Sequence, residues 1–89
     1  MPHTLKLSAS IRKSGWRGKI FDDEGPEEPH VTIHFKTEKW WRVSLRVKGT
    51  FLYPGGRWSE IPKEIQDAID LEWDAMRAYW TKGNPSNPV

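Results

Sequence analysis

The chain contains no cysteine, which excludes a disulfide framework and a thiolate zinc site. It has no apolar run near the roughly 20 residues that a membrane-spanning helix needs. Residues 1–13 hold no apolar core of the signal-peptide kind. The chain has no internal repeat and no low-complexity tract. These absences lead to the expectation of a cytoplasmic protein with no membrane partner. A strong overall charge is missing too, since 14 Lys+Arg stand against 12 Asp+Glu.

What is present is unevenly placed. Residues 1–58 carry five more cations than anions, whereas residues 59–89 carry three more anions than cations. The split predicts a basic half that suits an anionic partner or complements the acidic half internally. With 89 residues the chain has room for one domain. Six tryptophans supply large apolar surface to an otherwise thin core.

The apolar pattern changes period along the chain. Leu5, Leu7, Ala9 and Ile11 alternate with polar residues, which predicts a strand, with a short helix as the alternative. Ser14-Gly15 marks a turn, and residues 16–22 form a second strand. The acidic, proline-bearing stretch 23–29 predicts an exposed loop. In residues 30–36, Val31, Ile33 and Phe35 share one face and His30, Thr32, His34 and Lys36 the other. In residues 40–48, Trp41, Val43, Leu45 and Val47 point inward, and Trp40, Arg42, Arg46 and Lys48 outward. A short strand over residues 50–53 follows. Ile65, Ile69, Trp73, Met76 and Trp80 then recur at helical spacing, with Ser59 as cap and Pro62 in the first turn. Gly83 and Pro85 end that helix, and residues 84–89 are expected to be a disordered tail.

The fold predicted is α+β: an antiparallel β-meander of about three to five strands, with one long C-terminal α-helix packed on one face. The domain spans residues 1–83. The helix covers the apolar sheet face, and the other face is left to solvent or to a partner.

That outer face carries the function predicted. Arg17, Lys19, His34, Trp40, Arg42 and Arg46 interleave cations with aromatic rings. Cations track phosphates and rings stack on bases, so the pattern points to single-stranded nucleic acid, with RNA as the better target. A polar outer face is also ordinary for an antiparallel sheet. The acidic helix face (Glu64, Asp67, Asp70, Glu72, Asp74) reads as a solvated surface, or as a contact for a basic partner or a second copy.

A second constellation is chemical. His30 follows the acidic loop, and an imidazole can serve as acid or base near neutral pH. Asp22 or Asp23 could orient it across a hairpin, with Arg42 and Arg46 neutralising a phosphate. That outlines a metal-independent ribonuclease, with His30, Asp22 and Asp23 as candidate catalytic residues. His30 and His34 lie roughly 13 Å apart on an extended strand, too far to share one metal ion. Neither a metal nor a cofactor is expected.

The segments Gly15-Trp16-Arg17, Phe21-Asp22-Asp23 and Glu28-Pro29-His30-Val31 resemble a family of small bacterial proteins of unknown function. In that family an aspartate, a proline-rich loop and a Pro-His-Val-His segment open a strand, and a later helix bears tryptophans, as Trp73 and Trp80 do here. The likeness covers roughly residues 15–82. It matches residue by residue at Asp22 or Asp23, Pro29 and His30, while Thr32 stands where the family has its second histidine. It implies a toxin–antitoxin-like component with a partner protein encoded nearby and an RNA target. A weaker similarity is to small toxin ribonucleases of α-β-β-β-α fold, which would need residues 4–13 to be helical. The principal expectation is therefore a binding module; the alternatives are the His30 ribonuclease and a structural domain, monomeric or weakly dimeric.

Overall fold

The computed structural model describes residues 3–21 and 26–89. Its sheet has four antiparallel strands in sequential order: β1 (His3–Thr4), β2 (Trp16–Ile20), β3 (His30–Phe35) and β4 (Lys39–Ser44). The expected α+β meander is what forms. Helix α1 (Ala9–Lys13) lies between β1 and β2, and α2 (Lys63–Leu71) and α3 (Trp73–Gly83) follow the sheet. No helix among the described residues is long and apolar enough to cross a membrane.

Two apolar patterns meet to make the core. Ile20, Val31, Ile33, Trp41 and Val43 come from one sheet face, and Ile65, Ala68, Ile69, Met76 and Trp80 from the helices; all are buried. Leu5 joins them from just beyond β1. It fits because Gly18 lies beneath it: a Cβ at that position would collide with Leu5 Cδ1. Trp73 is only half-buried, with Lys48 Nζ 5.2 Å and the Arg77 guanidinium 5.7 Å from its ring.

The C-terminal helix runs as two segments that meet at Glu72. The backbone ladder passes through that point, from Glu72 N to Ala68 O at 2.9 Å and from Met76 N to Glu72 O at 2.8 Å. The Glu72 carboxylate accepts from Lys6 N at 3.0 Å and pairs with His3 Nε2 at 3.0 Å. Glu64 accepts from both the backbone and the hydroxyl of Ser8, at 2.6 and 2.8 Å. Part of the acidic helix face thus holds the N-terminal segment in place.

Residues 9–13, read as strand with a short helix as the alternative, form the helix α1. Ser8 caps it by accepting from Ile11 N at 3.4 Å, and Arg12 and Lys13 suit its C-terminal end. Gly15, at φ 106°, then turns the chain into β2, a conformation costly for other residues. Strand β4 stops at Ser44 because the Ser44 hydroxyl accepts from the N–H groups of Arg46 and Val47, at 3.1 and 3.2 Å. The chain turns there, and Val47 is 61% exposed instead of inward. Ser59 does not cap the helix: it lies in a short 3₁₀ turn, Trp58–Glu60, and Pro62 occupies the N-cap of α2.

Residues 84–89, expected to trail free, are tied down. Asn87 O accepts from Trp80 Nε1 at 2.8 Å, and Asn87 Nδ2 donates to Glu27 O at 2.7 Å. Arg46 Nη2 donates to Asn87 Oδ1 and to Pro88 O, each at 3.0 Å.

Candidate nucleic-acid interface on the outer sheet face

Register places the outward residues in rows that cross the strands. Arg17 on β2 lies opposite His34 on β3, which lies opposite Trp40 on β4. One pleat along, Lys19 lies opposite Thr32, and Thr32 opposite Arg42. Neighbouring strands are about 4.8 Å apart, so each row spans about 10 Å between its outer Cα positions. The buried residues of α2 and α3 pack with the inward residues of the sheet, and α1 meets these rows at Arg17.

A depression of about 190 Å³ opens between them, lined by Phe21, Thr32, His34, Trp40 and Arg42. Phe21 follows β2 and meets His34 edge-on, with ring centroids 5.9 Å apart. Trp40 is 42% exposed, an indole left open to solvent on this face. The Arg42 guanidinium lies 5.0 Å from the Trp40 ring centroid, an arrangement that orients both groups. Arg42 Nη1 also pairs with Glu27 Oε1 at 3.0 Å. Arg17 Nη1 donates to the carbonyls of Arg12 and Trp16, at 2.9 and 2.8 Å. Its charge is thereby fixed at the carbonyl end of α1, where the helix dipole is negative.

The candidate residues therefore divide. Arg17, Lys19, His34, Trp40 and Arg42 share the outer face. Arg46 does not, because β4 ends before it and its guanidinium holds the C-terminal segment. His30 does not either. It has the predicted strand parity, yet it is 0% exposed, with its ring centroid 5.6 Å from that of Trp80. Its Nδ1 lies 2.7 Å from the Glu28 carbonyl, which can only accept, so Nδ1 carries the proton. In this arrangement substrate does not reach the ring. Asp22 and Asp23 lie outside the described residues.

Phe21 and Thr32, outward by parity, prove to be walls of the depression. Glu27 belongs to the site as the partner of Arg42, although the loop around it shows no pattern. Its usable signal is charge: an acidic residue just before a strand whose neighbour bears outward arginine.

No protein-family model matches the chain, and neither the curated proteins nor the solved structures searched contain a match.

Proposed function

We propose that the outer sheet face binds single-stranded nucleic acid, RNA in the first place. The observation that carries this reading is the pair of rows Arg17–His34–Trp40 and Lys19–Thr32–Arg42 on the face opposite the apolar core. They combine three cations, an exposed indole and a second aromatic wall in one shallow surface. Folding does not require an exposed tryptophan between cations. Stacking on such a ring accepts any base, so affinity rather than sequence preference is expected. A flat sheet suits splayed, unpaired bases better than the grooves of a duplex.

The test is fluorescence anisotropy with a labelled oligouridylate dodecamer over a range of salt. Binding at low salt that falls steeply as salt rises supports the reading. No binding at low salt overturns it. The burial of His30 gives the ribonuclease reading no support, and it is not advanced.

A further inference from the structure

We propose that the depression between Phe21 and Trp40 is a single-nucleotide subsite, and that the Glu27 carboxylate occupies the place of that nucleotide's phosphate on Arg42. The proposal rests on the RNA reading and specifies where one nucleotide is held.

The base would enter beside the Trp40 ring, with Phe21 and His34 closing the opposite side. A planar, two-pronged guanidinium suits its phosphate, and Arg42 lines the same depression. That guanidinium is already engaged with Glu27. A carboxylate and a phosphate offer the same paired oxygens to an arginine, so they compete for it.

The existing pair is exchangeable. Its side chains retain 30% and 42% of their exposure, and ion pairs in such settings are weak. Glu27 is nevertheless kept close, because its backbone carbonyl accepts from Asn87. The carboxylate leaves by side-chain rotation and returns when the phosphate departs. In the free protein it also holds Arg42 beside Trp40, so the guanidinium is in position before a nucleotide arrives.

The test is a double-mutant cycle on oligouridylate affinity with Glu27→Gln, Arg42→Ala and the combined variant, each checked by thermal melting. Glu27→Gln should tighten binding about 2- to 5-fold at low salt, the size expected for removing an exposed competing pair. Arg42→Ala should weaken binding, and Glu27→Gln should have no effect in that background. If Arg42→Ala fails to fold, Arg42→Lys replaces it: charge is kept, the paired geometry is lost, and the Glu27 effect should shrink. Equal tightening with and without Arg42 would mean a general charge effect and overturn the proposal. Wild-type binding with no gain, or a loss, from Glu27→Gln overturns the subsite and leaves the RNA reading standing. Failure of both wild type and Glu27→Gln to bind overturns both.

Discussion

The side-chain amide of Asn87 donates to the backbone carbonyl of Glu27 at 2.7 Å, across 60 positions of sequence. This bond joins the end of the chain to the entrance of β3. Asn87 O also accepts from the indole of Trp80, the ring that packs against His30. His30 is therefore buried although strand parity turns it outward, and Ser44 opposite it is 1% exposed.

Replacing His30 with Ala should therefore destabilise the domain. The substitution leaves a cavity against Trp80 and an unmatched Glu28 carbonyl. A loss of about 2–4 kcal/mol is expected, which lowers the melting temperature by roughly 10–25 °C in a domain this small. An unchanged melting curve would show that the ring is not part of the packed interior.

Trp40→Ala should do the opposite. Its ring is 42% exposed and its loss should move the melting temperature by no more than about 4 °C. Oligouridylate affinity should fall by about 1–3 kcal/mol, or roughly 5- to 150-fold, if one base stacks on it. Anisotropy titration at fixed salt reads the change directly.

The cations should declare themselves through salt. If Arg17, Lys19 and Arg42 each neutralise one phosphate, log K against log salt should have a slope of about −2. Each alanine substitution should reduce that slope by about 0.7. Arg46→Ala, removed from the outer face by its bonds to Asn87 and Pro88, should leave the slope unaltered.

Asn87→Ala should cost about 1–2 kcal/mol by removing the bonds to Glu27 and from Arg46. The losses from Asn87→Ala and Arg46→Ala should not add, since both act on one junction. A melting-temperature cycle over the two single variants and the double checks this.

Much of the fold was legible because each element announces its period. Val31, Ile33, Trp41 and Val43 alternate cleanly, and the strands they predict form with those residues inward. Ile65, Ile69, Met76 and Trp80 recur at helical spacing and all four are buried. Alternation misled at Leu5, Leu7, Ala9 and Ile11. There the outcome depends on Glu64 gripping Ser8 from 56 positions away, which gives α1 its capped start. Parity correctly grouped Arg17, Lys19, His34, Trp40 and Arg42. It could not report that Ser44 would end β4 by accepting from Arg46 and Val47, because alternation records apolar faces and not a hydroxyl's bonds to the backbone two and three positions on. Nor could it report that Trp80 would pack against His30, a contact made across 50 positions of sequence.

The segment after β4 has a consequence for aggregation. Ser44 N donates to Thr50 O, Leu52 N donates to Arg42 O, and Phe51 bridges Val43. The outer edge of β4 is thus already occupied, and the occupying segment soon reaches Pro54, which has no N–H to offer. At the opposite edge β1 is only two residues long. Among the described residues, neither side of the sheet presents a long open row of backbone donors and acceptors. Strand-by-strand growth into a fibril lacks a template in the folded state, so the basic outer face can stay open to a ligand without the sheet itself becoming adhesive.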